Sequence, residues 1–196
     1  MASIDGYHHG NLRRALLDEA FLELERDGLE ALSLREIALA AGVSKSAPYR
    51  HFASKHELLV AMAADGFRLF AERLEASVAA SASMKPLEGL RNLAAAYVDF
   101  AKGQPALYRL MFSRFGYSLH SEACRANSQR AMGCLMTAVA RAQETGWKRE
   151  QDGQTLVLSI WAQVHGVATL IIDALVPEWL GLEAAESRNL FDTILG

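Results

Sequence analysis

Residues 33–57 read SLREIALAAGVSKSAPYRHFASKHE, and the order of caps, breaks and charges in this stretch decides the fold. Ser33-Leu34-Arg35-Glu36 and Ser54-Lys55-His56-Glu57 have the spacing of capping boxes, in which a serine hydroxyl accepts the third helical amide and a glutamate returns to the serine amide. Helices are expected to start at Leu34 and Lys55. Leu32 and Ile37 stand where a hydrophobic staple would close over the first box. Between the boxes the chain divides into a short helix, a turn at Gly42 and a second short helix after Ser44, which is helix-turn-helix spacing. Ala38 is small where the two helices must cross, and Val43, Ile37 and Phe52 are suited to close a miniature core.

Charge sets this stretch apart. The whole chain of 196 residues has a formal net charge of −3, which argues against a general basic coat for nucleic acid. From Val43 to His56, however, Lys45, Arg50 and Lys55 stand with His51 and His56 and without an acidic residue. A cationic, hydrogen-bonding outer face is what phosphates and base edges require. The alternative for the same pattern is a solvated helical hairpin. Lys55 and the amides after Ser54 would form an anion site at a helix N-terminus. Pro48, four residues after Ser44, removes the first intrahelical bond, so the second helix is expected to be tight or distorted. Ala47 and Pro48 could read bases only by apolar contact, such as with a thymine methyl.

Upstream, Asn11–Arg26 forms an amphipathic pattern with Leu12, Ala15, Leu16, Phe21 and Leu24 toward one side, and with Arg13 and Arg14 open to phosphate or to solvent. Downstream, alanine and leucine dominate, and apolar residues recur at three and four positions. Glycine and proline punctuate about nine helical segments, an all-α reading. One apolar stripe runs through Leu156, Ile160, Trp161, Val164, Ala168, Ile171 and Leu175. On the same segment Ser159, Ala162, Gly166, Thr169 and Asp173 make a small-residue stripe, fitted to a paired-helix dimer interface or to close packing inside the fold.

Leu34–Ala41, the following Gly-Val-Ser-Lys-Ser-Ala-Pro-Tyr-Arg-His-Phe and Ser54-Lys55 resemble the N-terminal signature of the TetR family of regulators over about residues 11–67. The resemblance implies a DNA-binding head over 10–70. There Lys45, Ser46, Ala47 and Pro48 would read the operator, Arg50 would add to readout, and Tyr49, His51 and Lys55 would hold phosphates. Trp161, His165 and Gly166, with Pro105–Phe112, resemble a TetR subgroup named for Trp-His-Gly. That implies an effector-binding and dimerisation body over 84–196, with Tyr97, Tyr108, Met111, Phe112, Trp161 and His165 as ligand contacts. On the residues alone, a tryptophan and a histidine on an apolar face are more often core than ligand contacts.

The implied protein is a repressor that binds a palindromic double-stranded operator as a homodimer and is released by a small-molecule effector. The rival is a helical ligand- or protein-binding module without operator binding. No Gly-x-Ser-x-Gly, phosphate-binding glycine loop or Cys-x-x-Cys occurs, and no histidine follows a glutamate by three, so neither an enzyme nor a cofactor is expected. Cys124 and Cys134 lack zinc-site spacing, no metal is expected, and packing thiols or a redox pair are the two readings. Met1–Tyr7 has no secretory pattern, so the cytoplasm is the expected location. The uncharged run Gly153–Ile172 carries Gln154, Ser159, Gln163, His165 and Thr169, which favours a buried helix over a membrane span.

Overall fold

The structure, a computed structural model, describes residues 9–115 and 121–176, with side chains from residue 12 onward. Seven α-helices and one 3-10 helix make up the described residues, and no strand occurs among them. The expected count of about nine helices refers to the whole chain, and part of it falls outside the described residues. In order the helices are α1 (His9–Ala31), α2 (Leu34–Ala40), the 3-10 helix Pro48–Arg50, α3 (Lys55–Ala80), α4 (Pro86–Gly103), α5 (Pro105–Met111), α6 (Glu122–Glu144) and α7 (Gly153–Ile172).

The helix boundaries follow local chemistry. Helix α1 is broken at Gly28, whose φ of 81° and ψ of 175° are non-helical, so the regular part ends near the expected Arg26. Both starts expected from the capping boxes are present, at Leu34 and Lys55. Proline opens α4 and α5, where a missing N–H costs nothing. Asp152 caps α7 by accepting the Thr155 amide at 2.8 Å, and that bond holds its carboxyl below the usual range.

The chain forms two compact units. One contains residues up to Gly66 together with Ala106–Cys124, and the other contains Phe67–Pro105 with residues from Arg125 onward. The segment 106–124, which the sequence grouped with the body, therefore clusters with the head. In the first unit Leu16, Leu24, Ile37, Phe52, Leu58 and Met62 are almost fully buried. Each contributes roughly 1.5–3 kcal/mol of transfer free energy. In the second, Phe70 meets Tyr97 edge-on at 4.9 Å and Phe100 at 5.1 Å, and α4 packs along α7.

Helix α7 departs from expectation. Only Leu156, Ile160, Val164 and Ala168 are buried, a single row at four-residue spacing. Leu158 is 60% exposed and Leu170 46% exposed. It is therefore a helix buried on one side with an apolar outer side, not a wholly buried core helix. Among the described residues it alone is long and apolar enough to cross a membrane by length and composition.

Candidate nucleic-acid interface

The turn and the helix caps of the strip from Ser33 to Glu57 are held by identifiable bonds. Ser33 Oγ accepts the Arg35 amide at 3.3 Å, which is the second helical position and not the third. The return bond to the Ser33 amide, expected from Glu36, is made by Glu23 of α1, whose carboxylate accepts it. Helix α2 ends with the Gly42 amide on the Leu39 carbonyl at 3.1 Å and the Val43 amide on the Ala38 carbonyl at 2.9 Å. These are the paired bonds of a Schellman ending, with Gly42 at φ 69° in the left-handed position. The turn that the sequence placed at Gly42 is thus fixed by backbone geometry.

Beyond the turn the expected second helix is not an α-helix. The Ala47 amide bonds to the Ser44 carbonyl at 2.9 Å, Arg50 to Ala47 at 3.2 Å and His51 to Pro48 at 2.9 Å, all at three-residue spacing. Pro48 has no N–H to offer the Ser44 carbonyl, so that carbonyl takes Ala47 and the segment winds as a 3-10 turn. Pro48 is itself buried, so it shapes the segment and leaves little surface for apolar base contact.

The other predicted residues lie outward. Lys45, Ser46, Tyr49 and Arg50 are exposed, Tyr49 at 56%, and Ala47, His51 and Lys55 are partly exposed. A tyrosine that exposed on a short, well-fixed segment is available to a partner. The second box closes tightly: the Glu57 amide donates to Ser54 Oγ at 3.2 Å, and Glu57 accepts the Ala53 amide at 2.7 Å, one residue before the expected target. Lys55 Nζ rests on the Glu30 carbonyl at 3.2 Å, so its charge is positioned by the end of α1. Of the two arginines on α1, Arg13 lies over the Phe52 ring at 5.2 Å, while Arg14 is engaged by Asp18 at 2.7 Å and Asp65 at 2.8 Å. Arg14 is thus committed to carboxylates, and His56 stacks on Phe115 at 5.6 Å.

Two acids of α1 were missed by the sequence reading. Glu23 is only 7% exposed, while its neighbour Leu22 is 63% exposed, a reversal of the ordinary order. One Glu23 oxygen has no hydrogen-bond partner, and burial pushes its carboxyl above the ordinary range. Glu25 reaches the start of α5. The signal for Glu23 was its place between Leu22 and Leu24, which no helical stripe accounts for.

The six ligand candidates separate into two groups. Tyr97 Oη and His165 Nδ1 are 2.9 Å apart, Trp161 lies 6.1 Å from the His165 ring, and burial holds the imidazole below its usual pKa. Tyr108 and Phe112 stack at 4.8 Å in the other unit, with Tyr108 and Met111 buried. A shallow cleft of only about 20 Å³, lined by Val78, Ser81, Pro86, Gly89, Thr137, Ala138 and Arg141, contains none of the six. On α7, Ser159, Ala162 and Asp173 are exposed and Gly166 and Thr169 partly so, and a side chain added at Gly166 would meet nothing within 4 Å. Both thiols are buried and pushed up by that burial, which disfavours the reactive thiolate. No cluster of three or more metal-ligating side chains occurs among the described residues.

A capped short helix, a left-handed glycine turn and an exposed cationic second segment together define a helix-turn-helix protein. Residues 16–62 match the family model for bacterial regulatory proteins of the tetR family, and residues 90–195 match the tetracyclin repressor-like C-terminal domain. The chain belongs to the TetR family. It is 30% identical over 143 residues to an uncharacterized HTH-type transcriptional regulator of Mycobacterium tuberculosis, a match covering 71% of this chain and 58% of that protein. The chain thus spans less than two thirds of that relative's length. Among solved structures, a protein of unknown function from Rhodococcus sp. RHA1 superposes with a TM-score of 0.84 at 33% identity, covering 97% of each chain. AibR, solved with isovaleryl coenzyme A and operator DNA, shares the fold with a TM-score of 0.68 at 22% identity, over 93% of this chain and 97% of that one.

Proposed function

We propose that the chain is a sequence-specific DNA-binding transcriptional regulator, acting in the cytoplasm as a homodimer on a palindromic operator. The observation that carries the reading is the exposed strip Lys45, Ser46, Tyr49 and Arg50, with His51 and Lys55 at its edge, on a helix-turn-helix whose turn and caps are bonded throughout. Lys45, Ser46 and Arg50 read base edges, Ala47 adds apolar contact, and Tyr49, His51 and Lys55 hold phosphates. Pro48 sets the pitch of the segment from within.

Dimerisation through α7 is supported by its exposed Leu158, Ala162 and Leu170, which with Ser159, Gly166, Thr169 and Asp173 suit close approach by the same helix of a second copy. Two heads then address two half-sites about one helical turn, roughly 34 Å, or a multiple apart. A small-molecule effector in the body would shift the population away from the DNA-competent spacing, which makes the regulator a repressor released by its ligand. The Tyr97–His165 pair with Trp161 is the polar and aromatic anchor for that ligand. The subgroup resemblance rests on the same Trp161, His165 and Gly166. AibR, which binds isovaleryl coenzyme A and operator DNA on this fold, is a precedent for both partners without naming the effector here.

Selection of duplexes from a random pool, followed by gel shift, tests the reading. Lys45→Ala and Tyr49→Ala should each weaken binding by roughly tenfold or more, and Lys45→Ala should lower the salt slope by about one. Unchanged binding in both variants would remove the strip from the interface.

A further inference from the structure

Charge and burial disagree at one place in the head unit. Glu23 stands between exposed Leu22 and buried Leu24 on α1, is itself 7% exposed, and accepts the Ser33 amide at the start of α2 with one oxygen. Its Oε2 is buried and has no hydrogen-bond partner. An ionised carboxylate there leaves about half of its lone pairs unanswered, which is costly for a buried charge. Nearby charge offsets little of that cost. The described charged groups that act on it are Arg26 and Asp27 of its own helix and Glu36 of α2, two acids against one base. Arg26 is already bonded to Asp27 at 2.6 and 2.8 Å, and Glu19, one helical turn before Glu23, draws on the same guanidinium.

A proton on Oε2 removes this conflict and keeps the Ser33 bond, because the two tasks fall on different oxygens. How firmly that proton is held depends on the charge around the head. The strip from Lys45 to Lys55 belongs to the same compact unit as Glu23, and the amide that Glu23 holds opens α2, the helix that runs into the Gly42 turn. DNA brings rows of phosphates to that strip. Negative charge arriving near a carboxylate favours its protonated form, and a buried group is screened from that charge less than an exposed one.

We propose that Glu23 is a proton site linked to operator binding: the head takes up a proton from solvent on Glu23 Oε2 when DNA occupies the strip from Lys45 to Lys55, so that mild acid favours the bound state. The inference rests on the DNA-binding reading above. Linkage makes the effect reciprocal, since the factor that DNA applies to the affinity for the proton is the factor that the proton applies to the affinity for DNA. His51 and His56 also gain charge in acid and act in the same direction, but they do so whether or not residue 23 can ionise.

The test compares the wild type with Glu23→Gln, which keeps an acceptor for Ser33 and cannot ionise. Kd is measured on the full chain with a duplex selected by the wild type from a random pool, from about pH 5 to about pH 8 at fixed ionic strength. Near pH 8 the variant should bind about threefold more tightly than the wild type, and the gap should close as pH falls. The histidines contribute alike to both proteins and cancel in the ratio. Without any variant, the carbon-13 resonance of the Glu23 carboxyl should titrate about half a pH unit higher in the complex than in the free chain, the same threefold read from the side of the proton. A ratio that stays flat with pH, at unity or at any other value, overturns the linkage, and so does weaker binding by Glu23→Gln near pH 8 or a titration midpoint that DNA leaves in place. If Glu23→Gln does not fold, the resonance alone decides. Each of these outcomes leaves the DNA-binding reading intact, whereas failure of the wild type to select any duplex overturns both.

Discussion

The strip from Ser33 to Glu57 and helix α7 are both short stretches with a proposed partner, but they are stabilised by opposite means. In the strip the backbone itself is bonded at close intervals, by Ser33, Glu23, Gly42, Ser54 and Glu57. Helix α7 needs one cap, Asp152, and is otherwise defined by which of its apolar residues find neighbours. Local bonds leave marks in adjacent residues. Long-range packing leaves only a periodicity, and a helix as apolar as α7 has several faces that satisfy it.

The contrast is broken most severely by removing Phe52, which is 1% exposed and sits under Arg13. Phe52→Ala should cost about 3–5 kcal/mol, seen as a lower urea midpoint with loss of duplex binding. Leu158→Ala, on the exposed side of α7, should cost within about 0.5 kcal/mol at protein concentrations low enough to separate copies. At higher concentration its cost should grow, because the wild type then buries Leu158 against a second copy. A Leu158→Ala penalty as large as that of Phe52→Ala at every concentration would show that α7 is held within the chain.

The same contrast explains what could be read in advance. Two helix starts, the Gly42 turn and the winding of the Pro48 segment were legible because a cap, a left-handed position and a missing N–H act within four residues. The inward orientation of Pro48 was not legible, since the side on which a proline lies depends on how α2 crosses the segment. Nor were the partners of Arg14, because Asp65 is brought to it only by folding. Among the ligand candidates, the subgroup resemblance grouped Tyr97 with Tyr108 and Phe112, whereas contacts place the former in one unit and the latter two in the other.

Intermediate in size is the polar pair in the body. Tyr97→Phe removes the 2.9 Å partner of His165 and should cost about 1–2 kcal/mol near neutral pH. Burial depresses the His165 pKa, so between that value and the unfolded value of about 6.5 the unfolded chain binds more protons. Its contribution is therefore fully present above about pH 6.5 and is lost as pH falls toward the folded pKa. Urea midpoints of His165→Gln should lack that decline, and an unaltered acid limb would assign it to other groups.

A small effect is also expected in the head, where local bonding is densest, and it concerns an acid whose burial opposes its charge. Glu23 accepts the Ser33 amide with one oxygen and leaves the other without a partner, at 7% exposure, among Arg26, Asp27 and Glu36. Its folded pKa is raised, so the folded chain holds the proton longer than the unfolded chain, whose carboxyl titrates near 4.3. Stability from this group is fully present below that value and declines as pH rises through the folded pKa. Glu23→Gln keeps an acceptor for Ser33 without a buried charge, so it should flatten the decline and raise the midpoint at pH 7 by the equivalent of about 1 kcal/mol or less. A loss of stability at pH 7 instead would mean that the ionised carboxylate is needed at the start of α2, where its charge would outweigh the cost of burying it.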